Sequence, residues 1–169
     1  VPVDTLLEDL KSDKSGLILF HSKPGAGKST LIKYFAQELP SKSFFYIDSN
    51  NIGVLSNINF TEFCYRNLEN AILIVEDCES ILTDRKLSHS EGISTILNLT
   101  DGIIGELLNL KIIATLNTTD AIDPALLRKG RLIRKVEFKA LEKEQVGNLA
   151  KSLNKNVEIK ECMLCDVYN

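Results

Sequence analysis

Short apolar runs alternate along this chain with segments in which apolar residues recur every three or four positions. Most of the runs are continuous, as expected for strands whose two faces are both covered. Alternation of such strands with helical segments is typical of a parallel sheet with crossover helices. The sequence therefore predicts an α/β fold, with strands at residues 16–21, 43–47, 71–75, 111–116 and 134–138.

Helical spacing is clearest directly after the first predicted strand, and it recurs between the later strands. The predicted helices cover residues 28–39, 60–68, 93–100 and 142–153. After Lys139 the pattern is only helical, so the last strand is the best place for a boundary. We predict an α/β core over residues 1–139 and a short remnant of a helical lid over residues 140–169.

Composition and charge exclude several classes of protein. With 44% hydrophobic and 25% charged residues, the chain has the profile of one globular domain. The 20 basic and 23 acidic residues give a net charge of −3, so nucleic-acid binding is not indicated. Apolar runs end after about five residues, whereas a membrane-spanning helix needs roughly 20. We expect no membrane segment in this chain.

The cysteines and the first residues bear on the location of the protein. A chain of this length with four cysteines does not depend on disulfides, so we interpret the thiols as reduced and the protein as cytoplasmic or otherwise intracellular. The first residue is Val1 and no signal-peptide pattern follows, so we expect a piece of a longer protein. Cys162 and Cys165 have metal-compatible spacing without a second pair, and helix packing is the favoured interpretation.

A phosphate-binding motif lies between the first predicted strand and the first predicted helix. Residues 22–29 nearly match the pattern G-x-x-x-x-G-K-[ST], in which backbone N–H groups close around a triphosphate. Lys28 would reach the β- and γ-phosphates, and Ser29 would ligate Mg²⁺. The departure is Ser22, at a position where glycine is usual and where a positive φ is an expected requirement. The predicted nucleotide-binding residues are Ser22, Lys23, Pro24, Gly25, Ala26, Gly27, Lys28, Ser29 and Thr30.

An acidic pair, Glu76 and Asp77, ends the apolar run at residues 71–75. The carboxyl ends of parallel strands collect ligands, so the pair is expected beside the phosphate-binding motif. One carboxylate would hold Mg²⁺ through water, and the other would orient or deprotonate an attacking water. Without that motif, the simpler interpretation would be that acidic residues merely end a strand.

Two arginines follow a segment with clear helix-capping residues. Asp123 is a good N-cap, Pro124 a good first helical residue and Gly130 a good residue just past a helix end. The pattern predicts a short helix with Arg128 in its last turn and Arg131 just beyond it. A purely structural alternative is that both cations stabilise the helix C-terminus.

This segment resembles the AAA ATPase family, whose second region of homology runs from a strand-end asparagine through D-P-A-L-x-R-x-G-R. The matching residues are Asn117 and residues 123–131, and the resemblance extends over residues 16–139. It implies a P-loop NTPase fold that hydrolyses ATP with Mg²⁺. It also implies a ring of identical subunits, such as a hexamer, that remodels or translocates a protein client.

The resemblance also implies roles for individual residues. Asn117 would be sensor 1, contacting the γ-phosphate or its attacking water, and Arg128 and Arg131 would be arginine fingers for a neighbouring subunit's nucleotide. The family usually ends its acidic strand in Asp-Glu. The order Glu76-Asp77, and the stretch at residues 94–102, resemble the branch containing the mitochondrial translocase of the Rieske iron–sulfur protein. Glu76 is accordingly assigned to Mg²⁺ and Asp77 to the water, with the two roles exchangeable.

Two other functions stay open at this stage. The first is a small-molecule P-loop kinase, for which 169 residues is a natural length, although Asn117 and the arginine segment argue against it. A non-hydrolysing nucleotide switch or scaffold is motivated by Ser22 and by the inverted acidic pair. Formation of ADP without a phosphorylated acceptor would separate the ATPase from both.

Overall fold

A computed structural model describes residues 3–48, 50–82, 91–101, 103–118, 122–153 and 160–168. Its centre is a five-stranded sheet in the order β2-β3-β4-β1-β5, with every neighbouring pair parallel. The strands are β1 (Gly16–His21), β2 (Phe44–Ile47), β3 (Ile72–Val75), β4 (Lys111–Leu116) and β5 (Leu132–Glu137). The predicted α/β fold is therefore confirmed, and β1 and β4 have the predicted bounds.

Helices flank the sheet. They are α1 (Val3–Lys11), α2 (Lys28–Glu38), α3 (Ile58–Asn67), α4 (Glu79–Leu82), α5 (Glu91–Asp101), α6 (Ile103–Leu108), α7 (Lys143–Ser152) and α8 (Leu164–Tyr168), with 3₁₀ turns at Ile52–Ser56 and Pro124–Leu127. Sequence patterning missed the first helix, although it buries Leu6, Leu7 and Leu10 on one face. It also missed α4 and α6, which have too few residues for a helical period to emerge, whereas α8 lies in the stretch after Lys139 that was predicted to be helical. None of the helices in the described ranges is long and apolar enough to cross a membrane.

The hydrophobic core has two layers, one on each face of the sheet. Along β1, Leu17 and Leu19 join the layer that includes residues of α3 and α5. Ile18 and Phe20 join the opposite layer, which includes residues of α1 and α2. Successive strand residues point to opposite faces, so a strand covered on both sides is apolar at most of its positions. This is why the apolar runs in the sequence are continuous.

The register of the sheet positions the loops at its carboxyl edge. His21 at the end of β1 lies beside Leu116 at the end of β4, and Val75 at the end of β3 lies beside Ala114 of β4. The residues that follow these three strands are therefore brought together at one edge, although they are far apart in the sequence.

The opposite edge of the sheet contains a buried cation. Lys111, the first residue of β4, has no exposed surface. Its Nζ donates hydrogen bonds to the Ser12 carbonyl at 2.5 Å and to Asn109 Oδ1 at 3.3 Å. Burial, and next the repulsion from Lys42, lower the pKa of Lys111 from 10.5 to about 8. These oxygens only partly replace the water that the ammonium group loses.

The lowered pKa of Lys111 makes stability depend on pH. Between pH 8 and 10.5 the unfolded chain binds more protons at this residue than the native chain, so its contribution to stability rises with pH. We expect the free energy of unfolding of the wild type, minus that of Lys111→Met, to increase by on the order of 2 kcal/mol between pH 7 and 10. Urea denaturation at several pH values measures it. Lys33→Met, at an exposed position of α2, is the control, and a pH-independent difference would contradict the prediction.

Candidate nucleotide-binding site

The loop between β1 and α2 has the shape of an anion-binding turn. Gly25 has a φ of 80° and Gly27, the N-cap of α2, a φ of 95°. Residues with side chains rarely adopt this left-handed region, so the glycines permit the turn. Ser22 needs no such freedom, because positive φ among the described non-glycine residues occurs only at Asn70, Asp77 and Asn109. The expected conformational difficulty at Ser22 is therefore not found.

Lys28, the first residue of α2, is held by neutral oxygens. Its Nζ donates to the Ser22 carbonyl at 3.2 Å, to Ser22 Oγ at 3.0 Å and to Asn117 Oδ1 at 3.1 Å. Burial lowers the pKa of Lys28, opposed by the nearby carboxylates of Asp77, Glu79 and Glu76. Ser22 is thus more than a substitute for glycine, because its side chain helps to position this ammonium group.

The two carboxylates after β3 have different environments. Glu76 accepts a hydrogen bond from Ser29 Oγ at 2.7 Å on Oε1 and one from Tyr46 Oη at 2.7 Å on Oε2. The bond to Glu76 raises the pKa of Tyr46 to about 12. Asp77 has a φ of 47°, and its backbone N–H donates to Thr115 Oγ1 at 3.0 Å. The Glu76 carboxylate therefore faces the start of α2, whereas the Asp77 carboxylate accepts a hydrogen bond from Asn117, directly after β4.

Asn117, directly after β4, connects the basic and acidic parts of the site. Its Oδ1 accepts from Lys28 Nζ at 3.1 Å, and its Nδ2 donates to Asp77 Oδ1 at 3.2 Å. Its backbone N–H donates to the Glu79 carboxylate. A side-chain amide can satisfy a cation and an anion at the same time, because it carries both an acceptor and a donor. The structure thus brings together most of the residues that the sequence predicted.

These residues surround a cavity of about 620 Å³. It is lined by Pro24, Gly25, Ala26, Gly27, Lys28, Ser29, Thr30, Glu76, Asp77, Thr115, Asn117, Leu164, Cys165 and Tyr168. Ser22 and Lys23 are not part of this lining. A second cavity of about 710 Å³ adjoins the first, and shares Ala26, Gly27, Thr30 and Leu164 with it.

The arginine segment lies outside that cavity, and the predicted helix is wrong in one respect. Asp123 does cap it, accepting from the Ala125 N–H at 2.7 Å, but the 3₁₀ helix ends at Leu127. Arg128 is therefore not in a last helical turn. Its backbone is extended (φ −69°, ψ 147°), and its carbonyl accepts from the N–H groups of Arg131 and Leu132 in a turn that leads into β5.

The two arginine side chains have different environments. Arg131 Nη1 donates to the Ala125 carbonyl at 3.0 Å, so this guanidinium stabilises the end of its own turn. Arg128 is exposed, and its side chain makes no hydrogen bond or ion pair within the part of the chain that the structure describes. The structural alternative for the arginines thus describes Arg131 better than Arg128.

Sequence reasoning missed the C-terminal segment as part of the site. The Cys165 N–H donates to the Gly25 carbonyl at 3.0 Å, and Cys162 forms an antiparallel bridge with Leu141. The side chains of Leu164 and Cys165 lie against Gly27 and Gly25. Tyr46 and Thr115 were also missed. For Tyr46 the available signal was its place in the strand next to the acidic pair, whereas no local pattern identified the C-terminal contacts.

A phosphate-binding loop before a helix, facing carboxylates at the end of a parallel strand one place removed in the sheet, defines a P-loop nucleotide-binding protein. The profile described as "ATPase family associated with various cellular activities (AAA)" matches residues 18–140. The chain belongs to this AAA family of ATPases, and ATP is accordingly its nucleotide.

Individual relatives agree with this assignment. A 26S proteasome regulatory subunit 6B homolog of Saccharomyces cerevisiae is 29% identical over 160 residues, covering 80% of this chain and 34% of that protein. The AAA-ATPase At3g50940 of Arabidopsis thaliana is 32% identical, covering 72% of this chain and 29% of that protein. A putative cell division cycle ATPase of Plasmodium falciparum is 30% identical, with 72% and 10% covered. The chain spans about a third or less of these relatives.

The contact between Gly25 and the C-terminal segment leads to a prediction. A Cβ at Gly25 would lie 2.2 Å from Cys165 Sγ, at a φ of +80°. We expect Gly25→Ala to weaken ATP binding by about tenfold or more, because strain and clash both displace the loop. Calorimetric titration with ATP measures it. Gly53→Ala, where a Cβ has nothing within 4 Å, is the control.

Adding Cys165→Ala to Gly25→Ala separates the two causes. The double variant should regain part of the affinity, since the clash with Sγ is gone, whereas the tight 3.2 Å approach to Cβ of residue 165 and the strain at positive φ stay. Wild-type affinity in Gly25→Ala alone would contradict this account of the loop.

Proposed function

We propose that this chain is an AAA module that binds and hydrolyses ATP with Mg²⁺. The observation that carries the proposal is the side chain of Asn117, which bonds both Lys28 and Asp77. A phosphate-binding cation and a carboxylate suited to orienting water are thus parts of one hydrogen-bond network beside the phosphate loop. A loop that merely joined a strand to a helix would have no need of this arrangement.

The phosphates of ATP fit the first cavity, where Lys28 and the backbone of residues 24–29 face them. The adjoining cavity offers room for the nucleoside, and Thr30 lies at the junction. Ser22 acts from behind the loop through its contact with Lys28, and Lys23 stays a proposed nucleotide-binding residue as part of the loop motif.

The residues present suit Mg²⁺. The Ser29 hydroxyl and the Glu76 carboxylate are 2.7 Å apart, and both are oxygen donors of the kind that Mg²⁺ prefers. We assign these two residues to the metal. When bound, Mg²⁺ neutralises charge on the phosphate oxygens.

Asp77 is assigned to the attacking water. Its carboxylate would orient the water and accept its proton while the water oxygen bonds to the γ-phosphorus and the bond to the β–γ bridging oxygen breaks. Thr115 fixes the backbone of Asp77, and Asn117 fixes its side chain. Asn117 itself is assigned to contact the γ-phosphate or the water, which is the role of the sensor 1 residue in the AAA family.

The two-part division of the chain, at residues 1–139 and 140–169, belongs to the proposal as well. Support comes from the C-terminal segment, which bonds to Gly25 and lines the nucleotide cavity with Leu164 and Tyr168. A remnant of a helical lid would contribute to the site in this way.

We further propose that the module works in an intracellular ring of identical subunits, such as a hexamer, that acts on a protein client. Arg128 supports this assembly, since an exposed guanidinium beside Leu127, which is 40% exposed, is suited to a neighbouring subunit. Arg131 is proposed as a second finger, although it first has to leave the Ala125 carbonyl. Because of the order Glu76-Asp77, we propose that the chain belongs to the branch of the AAA family that contains the Rieske-protein translocase.

Turnover and metal binding should separate at the acidic pair. We expect Asp77→Asn to bind Mg·ATP normally but to lose at least about 100-fold in kcat, because the proton acceptor is lost. Glu76→Gln should lose most of the gain in ATP affinity that Mg²⁺ provides. Phosphate release, together with calorimetry in Mg²⁺ and in EDTA, measures both effects. If Glu76→Gln instead blocks turnover and Asp77→Asn weakens Mg²⁺-dependent binding, the two roles are exchanged. A wild type that forms no ADP at any protein concentration would refute the proposed ATP hydrolysis.

Action between subunits is tested by mixing two inactive variants. We expect Arg128→Ala to keep its ATP affinity while kcat falls by about 10³-fold, as for a group that acts only in the transition state. A mixture of Arg128→Ala with Lys28→Ala should regain activity. In mixed rings, the intact nucleotide pocket of an Arg128→Ala subunit can lie beside the intact Arg128 of a Lys28→Ala subunit. Lys129→Ala, the neighbouring exposed cation, is the control. No recovery in mixtures shown by sedimentation to co-assemble would contradict the assignment.

A further inference from the structure

Tyr46 reaches the acidic pair from the outer strand of the sheet. It lies on β2, opposite Ile74 of β3, and its Oη donates to Glu76 Oε2 at 2.7 Å. On the other side, Ser29 donates to Glu76 Oε1 at 2.7 Å. The Glu76 carboxylate is therefore held between the edge strand and the start of α2, with one donor on each oxygen.

Glu76 needs more restraint than a shorter carboxylate would need. A glutamate has one more rotatable bond than an aspartate, so ordering its carboxylate costs more conformational entropy. An ionised carboxylate has about four lone-pair positions, and two hydrogen bonds leave acceptor positions for a metal or its water. Two donors can thus fix the group without blocking its use as a ligand.

The contact contributes little to the fold. Tyr46 is 58% exposed, whereas its strand neighbour Ile47 is 7% exposed and belongs to the core. Loss of the Tyr46 hydroxyl removes no buried apolar surface, so the free energy of unfolding should change little. The position of the hydroxyl is best explained by what it does to Glu76.

We propose that Tyr46 is a positioning residue that fixes the Glu76 carboxylate for Mg²⁺ in the ATP-bound site. This inference rests on the proposed function, because it assigns Tyr46 a part in the metal binding given there to Ser29 and Glu76. Tyr46 contacts neither the phosphates nor the water in this assignment, and it acts entirely through Glu76.

The test is the dissociation constant of ATP, measured by calorimetry with Mg²⁺ and with EDTA. Tyr46→Phe should weaken binding about fivefold with Mg²⁺, as expected for loss of one hydrogen bond, and should leave binding in EDTA unchanged. The unfolding temperature should also be unchanged. Tyr65→Phe, at an exposed tyrosine on α3, is the control and should behave as wild type.

A second background separates positioning from a general effect. In Glu76→Ala the hydroxyl has no carboxylate to hold, so adding Tyr46→Phe should cause no further loss with Mg²⁺. An equal loss in both backgrounds, an equal loss in EDTA, or a Tyr46→Phe protein that retains the full Mg²⁺ gain would overturn the inference alone. A wild type whose ATP binding gains nothing from Mg²⁺ would overturn the assigned metal site, and this inference with it.

Discussion

Parallel pairing of β4 between β1 and β3 is the constraint on which the site depends. It brings the residues after three strands to one edge of the sheet, so that the phosphate loop, the acidic pair and Asn117 meet. The strands keep this register because a shift by one residue would exchange the side chains that pack against α3 and α5 with those that pack against α1 and α2. Both faces are covered by helices, so the same burial that stabilises the sheet also fixes the position of the site.

Within the site, opposite charges are linked through neutral groups. Lys28 is bonded to Ser22 and Asn117, and Asp77 to Asn117 and Thr115. In a direct ion pair, Lys28 and Asp77 would neutralise each other, and neither charge would be available to phosphate or water. The amide between them keeps both groups ordered while leaving the cation suited to phosphate and the carboxylate suited to water.

Local sequence motifs predicted much of this arrangement. Gly25 and Gly27 adopt the positive φ that the phosphate-binding pattern requires, and Asp123 caps its turn as expected. The error at Arg128 has a definite cause. Capping residues mark where a helix starts but do not fix where it ends. Here the 3₁₀ helix ends at Leu127, and the Arg128 carbonyl accepts from the N–H groups of Arg131 and Leu132 in a turn that leads into β5.

The sequence by itself determined the fold class and the strands, and it singled out the residues proposed for phosphate and carboxylate chemistry, because these follow from local periodicity and from contiguous motifs. Only the tertiary structure decided that Tyr46 holds Glu76, that Cys165 bonds to Gly25, and that Arg131 rather than Arg128 is tied to its own turn. The first two contacts join elements far apart in the chain, and the third depends on how the chain turns into β5. Their geometry comes from strand order and helix packing, which no short window of sequence contains.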